Sequence, residues 1–211
     1  MKNKADVKAL NILIERLQKK GASISENIKD DSEYFWDDFS GRLLGINWSF
    51  KYIVGPISFA GLGALKRIDI SVNDITSLDI TQNKELVFLD CSVNRLKELD
   101  ITGNGNLEQL KCLDNDLIRL ETFANPLLNS VECDENKLRK LDFSANPCLK
   151  YLWCDDNNLI KLNLSKNKNL VRLSCEYNNL KILFLPEPNR IIDLQTDENV
   201  KIMRIIDNEE E

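Results

Sequence analysis

The sequence contains no histidine. Without imidazole there is no Ser-His or Cys-His nucleophile pair, no imidazole general base and no His-containing zinc site. There is also no run long and apolar enough to cross a bilayer. A basic N-terminus is followed by an apolar stretch from Ala9 to Leu17, but Asn11, Glu15 and Arg16 interrupt it, so it lacks the core of a secretory signal. Membrane insertion is not expected, and the chain as it stands reads as cytoplasmic. A secreted or cell-surface location is the alternative if a leader has been removed. Cys-x-x-Cys and Asp-x-Asp-x-Asp-Gly are missing, and Gly61-Leu62-Gly63 lacks the third glycine and the lysine of a phosphate loop. No cofactor, metal or catalytic residue is expected. Asn47-Trp48-Ser49 and Asn163-Leu164-Ser165 match the glycosylation pattern; the second belongs to the repeat described next, and both read as coincidence.

What is present is an acidic chain of 211 residues, 43% hydrophobic, with a formal net charge of −6. That length holds one domain, or one and a small appendage. The acidity is a poor fit to nucleic acid, whose binders carry a basic face, and suits a partner with a basic surface.

The dominant signal is a repeat. Cysteines at 91, 112, 133, 154 and 175 recur at one fixed interval. Asparagines at 73, 94, 115, 136, 157 and 178 share that interval, as does a second asparagine series at 83, 104, 125, 146 and 167. One coil reads Leu86-x-x-Leu89-x-Cys91-x-x-Asn94-x-Leu96, then Leu99-x-Ile101-x-x-Asn104. Leu-x-Cys has period two, which sends both side chains to the inner face of a short strand. The asparagine falls where the chain turns, and its amide can bond the backbone groups the turn leaves unpaired. A single coil cannot bury its apolar side, so coils must stack. Full coils begin at Leu65, Leu86, Leu107, Leu128, Leu149 and Leu170; a worn copy starts at Ile191, with Leu194, Thr196 and Asn199 in phase. Thr122 replaces an aliphatic residue, and Phe123 is expected to fill the gap through a local bulge.

This pattern resembles the leucine-rich-repeat family, in particular the bacterial 21-residue type with a cysteine in the strand found in internalin-like proteins. The resemblance covers about residues 65 to 199. It implies an α/β-type repeat solenoid: a curved rod with a parallel β-sheet on the concave face and a short irregular or extended convex side. It also implies a protein-binding role.

The expected organisation is a helical N-terminal cap over 1–45, lead-in strands over 46–64, six repeats over 65–190 and a degenerate capping repeat over 191–211. Val7, Leu10, Ile14 and Leu17 form a helical stripe that stops at Lys19, Lys20 and Gly21. A second helix is expected from Ser25 or Ser32 to about Phe39, packing Tyr34, Phe35, Trp36 and Phe39 onto the first coil. Ile46-Asn47-Trp48 and Ile57-Ser58-Phe59 read as a lead-in strand pair, with Ile57 and Phe59 placed one full repeat before Leu78 and Ile80. Lys201, Arg204 and the acidic end at 207–211 make a polar terminus that discourages end-to-end stacking, so a monomer is expected.

The five in-phase cysteines read as a buried ladder of free thiols, small hydrophobes in the slot of Ile70, suited to a reducing compartment. Cys148 lies outside the ladder and is expected to be partly exposed. The informative set is the outward residues of the concave strands and the turns after them. They carry eight acidic, two basic and four aromatic residues. That imbalance equals the charge of the whole chain. The candidate partner-binding residues are Phe88, Asp90, Lys111, Glu132, Asp134, Tyr151, Trp153, Asp155, Arg172, Glu176 and Tyr177. Solvent gives no reason to place a tryptophan there, whereas aromatic anchors dominate interfaces. A face kept soluble by charge is the plainer alternative. Asp134, Asp155 and Glu176 fall in one column that could in principle hold calcium. The expected function is a non-catalytic protein-binding module. The alternatives are an inhibitor or immunity-like protein against a basic enzyme, and a fragment of a bacterial surface adhesin.

Overall fold

The computed structural model describes residues 1–206. Helix α1 (Lys4–Gln18) opens on Asn3, whose side chain accepts from the N–H groups of Ala5 and Asp6. Its buried stripe is Leu10, Leu13, Ile14 and Leu17. Asp6 is also buried, held by Arg42 Nε at 2.8 Å and Leu43 N at 2.9 Å. The chain leaves α1 through Gly21, at a φ of 93° that favours glycine.

No second helix follows among the described residues. Residues 25–39 form turns and a strand, β1 (Tyr34–Trp36), which pairs antiparallel with β2 (Leu43–Asn47). The aromatic run alternates with period two. Tyr34 is buried, donates its hydroxyl to Ser25 O at 2.6 Å and meets the Trp48 ring edge-on at 6.2 Å. Trp36 Nε1 donates to Ile28 O at 2.8 Å. Phe35 points outward and Phe39 is fully exposed. Asn27, Asp30 and Asp37 accept from backbone N–H groups two or three residues on, and such local bonds compete with helix formation.

From β2 the chain winds into stacked coils. The principal sheet has nine strands in the order β1, β2, β4 (Arg67–Asp69), β6 (Phe88–Asp90), β7 (Gln109–Lys111), β8 (Ser130–Glu132), β9 (Tyr151–Trp153), β11 (Arg172–Ser174) and β13 (Asp193–Gln195). All neighbours except β1 and β2 run parallel. That makes about eight coils. The expected lead-in pair is instead a coil of its own. Strand β2 joins the principal sheet beside β4, while β3 (Val54–Ser58) pairs with β5 (Asp74–Asp79) in a separate two-stranded sheet. Ile57 does stand opposite Leu78, as its spacing predicts. At the other end β10 (Leu162–Asn163), β12 (Ile182–Glu187) and β14 (Lys201–Ile206) form a third, parallel sheet.

The core is a set of columns. Leu86, Leu107, Leu128, Leu149 and Leu170 are fully buried, as are Ile70 and the five ladder cysteines in line with it. All six cysteines are free, and Cys148 is only partly buried. Burial pushes the ladder thiols well up, Cys175 to about 11. Cys91, Cys133 and Cys154 place Sγ 3.4–3.5 Å from a carbonyl of the next coil.

Two asparagine ladders tie the coils. Asn115 donates to Cys91 O, Cys112 O and Leu113 O at 3.1–3.3 Å, and its Oδ1 accepts from Leu96 N at 3.0 Å. Immediately before each ladder asparagine the chain turns left-handed: Val72, Val93, Asp114, Glu135, Asp156 and Tyr177 have φ of 49–55°. The asparagine bonds hold a conformation that costs non-glycine residues energy. In the second ladder Asn104 donates to Ile80 O and Asn83 O.

The expected bulge at Thr122 does not form. Thr122 is buried, with Oγ1 2.9 Å from Asp142 O and 2.8 Å from Asn146 Oδ1, and Phe123 is exposed. Asn83, Asn104, Asn125 and Asn167 have buried Oδ1 atoms without a partner. Thr122 supplies one to Asn146, so the hydroxyl is accommodated by the ladder itself. At the C-terminal end Leu194 pairs opposite Leu173. Asp197 accepts from Tyr177 N and Asn178 N. The acidic end at 207–211 lies outside the described residues.

Candidate functional site

From β4 onward the outward face of the principal sheet is built from strands only three residues long. In each, the middle residue points inward and the first and third point out. On β9 the outward pair is Tyr151 and Trp153. Both are half-buried, their ring centroids are 6.1 Å apart and their planes are 18° from parallel. Register places Ser130 and Arg172 on either side of Tyr151, and Glu132 and Ser174 on either side of Trp153. Lys111 Nζ lies 2.9 Å from Glu132 Oε1.

After the strand, Asp134, Asp155 and Glu176 stack in the expected column. Asp134 Oδ1 accepts from Asp155 N at 2.9 Å, and Asp155 Oδ1 accepts from Glu176 N at 2.6 Å. Ser174 Oγ sits 2.6 Å from Asp155 Oδ2. The Asp134 and Asp155 carboxylates are therefore engaged with donors of their own chain. Among the described residues no group of three or more His, Cys, Asp or Glu could hold a metal ion. Burial, with the charges of Asp155 and Glu132 added, pushes the Asp134 carboxyl up to about 6. Burial also raises Asp90, reinforced by Asp69 and opposed by Lys111.

Two of the sequence-derived residues sit differently from expectation. Phe88 faces outward but is buried, because the Arg67 guanidinium lies 3.5 Å from its ring centroid. Tyr177 is exposed, but in the left-handed turn at the sheet margin rather than on a strand. Glu132, Trp153, Tyr151, Asp134, Asp155 and Arg172 come together across β8, β9 and β11, whereas Asp90 lies two coils away beside Lys111.

Sequence reasoning missed two exposed groups. Phe50 and Tyr52 are exposed, each with a φ of 56°, on either side of Lys51, which pairs with Glu33 at 2.6 Å. Phe50 donates its N–H to Ser71 O as Val72 does to Ser92 O, so the signal was a turn position roughly one coil before Val72. Ile118 and Ile160 are exposed on the flank. Their signal was an aliphatic residue in a column otherwise held by Lys97, Arg139 and Lys181.

This geometry defines a leucine-rich-repeat solenoid with 21-residue coils, a cysteine ladder and an asparagine ladder, a fold similar to that of internalins. Among solved structures, the functional domain of InlJ from Listeria monocytogenes, described as including a cysteine ladder, aligns with a TM-score of 0.54 and 24% identity over 77% of this chain and 46% of that one. The internalin InlF from Listeria monocytogenes aligns at 0.57 and 17% identity over 86% of this chain and 60% of that one. The plant peptide hormone receptor RGFR1, solved in complex with RGF2, aligns at 0.62 and 20% identity over 77% of this chain and 28% of that one. The chain thus spans about half the length of the two internalins. No family model and no curated protein matches the sequence. Among the described residues no helix is long and apolar enough to cross a membrane.

Proposed function

We propose that the chain is a non-catalytic protein-binding module that works through the acidic, aromatic-bearing face of its principal sheet. The observation that carries this reading is the Tyr151–Trp153 pair, stacked and half-exposed in the middle of an otherwise polar surface. A rigid aromatic pair offers a large contact area with little side-chain entropy to lose. Glu132, Asp134, Asp155 and Glu176 surround it with negative charge, which steers a basic partner and fixes its register. Solved structures of the same fold include a plant peptide hormone receptor in complex with RGF2, which supports a binding role. The free thiols suit a reducing compartment, and the working unit is a monomer.

The test is a comparison of affinities for a partner captured from lysate of the source organism or from its host or culture material. Trp153→Ala should weaken binding by about 2 kcal/mol, and single changes such as Glu132→Gln by roughly 1 kcal/mol or less. An interaction that survives the paired alanine change at Tyr151 and Trp153 would remove the site from this face. Inhibition of a basic enzyme rests on the same carboxylates. It is distinguished by a captured partner that is an enzyme, is blocked by the complex, and dissociates steeply with salt.

A further inference from the structure

We infer a second docking surface, on the flank of the solenoid away from the principal sheet, that takes an acidic polypeptide segment carrying an apolar side chain. The surface is a groove of about 450 Å³ between two coils, lined among others by Arg139, Lys140, Leu141, Ile160, Lys161 and Asn163.

The charge of this groove follows from how two columns run through the repeat. One column of acids, Asp79, Asp100 and Asp142, caps the turn that follows it. Asp79 accepts from Thr81 N, Asp100 from Thr102 N and Asp142 from Ser144 N. The hydroxyls of Thr81, Thr102 and Ser144 first, and these backbone bonds after them, hold all three carboxyls below their ordinary range, so they stay charged. In the next coil the cap is Asn163, whose Oδ1 accepts from Ser165 N at 3.1 Å. The turn is kept and the negative charge is gone. The neighbouring cations continue: Arg139, Lys140, Lys161 and Lys166 line the groove with Asp142 as its one acid, and Lys140 Nζ is 3.9 Å from that carboxylate. Lys161 lies 5.1 Å from the centre of the Phe184 ring, and Arg139 has no ion pair among the described residues.

The equivalent groove two coils earlier shows the contrast. It has about 480 Å³ and is lined among others by Lys97, Glu98, Asp100, Ile118, Arg119 and Glu121, with Arg119 Nε 2.8 Å from Glu121. There three carboxylates face two cations; between Arg139 and Lys161 the cations face Asp142 alone.

Ile160 decides the class of partner. It is 67% exposed, and the repeat register sets it between Arg139 and Lys181 of the adjoining coils. A solvated basic flank has no use for an exposed isoleucine there. Single-stranded nucleic acid asks for aromatic rings on which bases stack, and the groove presents an aliphatic side chain. Cations around an apolar contact fit glutamate or aspartate side chains alternating with a leucine or valine.

The experiment measures fluorescence anisotropy of a short labelled peptide of alternating glutamate and leucine against the full chain. Saturable binding is expected. Arg139→Glu with Lys161→Glu should weaken it at least about tenfold, and Ile160→Ser should weaken it several-fold, with far-UV circular dichroism unchanged. Lys97→Glu with Arg119→Glu in the earlier groove, and Tyr151→Ala with Trp153→Ala on the sheet face, should leave it unchanged. The inference is overturned by absence of binding. It is also overturned if oligoglutamate or a single-stranded oligonucleotide binds as tightly, or if the earlier-groove variant loses as much. Self-association in sedimentation velocity that the Arg139/Lys161 variant abolishes would make a second copy the occupant and likewise overturn it.

Discussion

Trp153 stands directly across from Glu132 in the register of the principal sheet, and Lys111 is bonded to that same carboxylate at 2.9 Å. One oxygen of Glu132 is therefore partly committed, and the indole beside it is not. Truncating Trp153 should affect binding far more than folding. The side chain remains half in solvent, so unfolding free energy for Trp153→Ala should fall by about 1 kcal/mol or less. Urea unfolding of the variant, set beside its partner affinity, checks this.

Asp134 gives the face a pH dependence whose sign can be worked out. Its carboxyl is raised to about 6 in the folded chain from an ordinary value of 3.8. The folded state therefore binds this proton more tightly than the unfolded state. The destabilising contribution is fully present above about pH 6, diminishes as pH falls through 6 and is gone below the unfolded value. Asp134→Asn should stabilise the chain at pH 7 by on the order of 1 kcal/mol after solvent screening. That gain should disappear near pH 4. Asn can still accept from Asp155 N, so the column is kept. Paired urea titrations of wild type and variant across this range measure the difference. A basic partner should also bind more weakly as pH drops through 6.

Thiol labelling should separate the ladder from Cys148. The five ladder cysteines are fully buried and their thiols are pushed away from the reactive thiolate, whereas Cys148 is partly exposed. An aromatic disulfide reagent should label Cys148 alone in the native chain and all six cysteines after denaturation. Mass spectrometry of the labelled peptides identifies the site.

Asn115 should be among the costliest single changes. Alanine there removes three donated bonds and one accepted bond in a buried turn and leaves the left-handed Asp114 unsupported. A loss of roughly 3 kcal/mol is expected. Asp114→Gly should be neutral or slightly stabilising, because its φ of 49° suits glycine. Thermal unfolding of the two variants distinguishes the side-chain bonds from the backbone strain.

The sequence made the middle of the molecule readable because each coil repeats the same physical problem. Leu107, Cys112 and Asn115 recur one coil on as Leu128, Cys133 and Asn136, and their roles recur with them. The first coil escaped because the interval from Ile46 to Ile68 is longer than the repeat period, and because Trp48 occupies the slot that Ile70 fills in the next coil. Tyr34, Phe35 and Trp36 were misread as a helix face; their alternation is legible only once Tyr34 is seen against Trp48. The left-handed turns at Val72 and Val93 carry no glycine to announce them, since the asparagine that follows stabilises them through contacts with the neighbouring coil. Tyr151 and Trp153 were legible as neighbours on one face from period two alone, but the covering of Phe88 by Arg67 depends on a rotamer that no spacing reveals.

The most direct test of a protein-binding face is a quantitative pull-down from lysate of the source organism, run beside its host or culture material. Wild type is compared with the Tyr151→Ala/Trp153→Ala variant at equal loading. The account predicts a partner with a basic surface that wild type retains and the variant loses. The same partners retained equally by both proteins, or none by either, would contradict it.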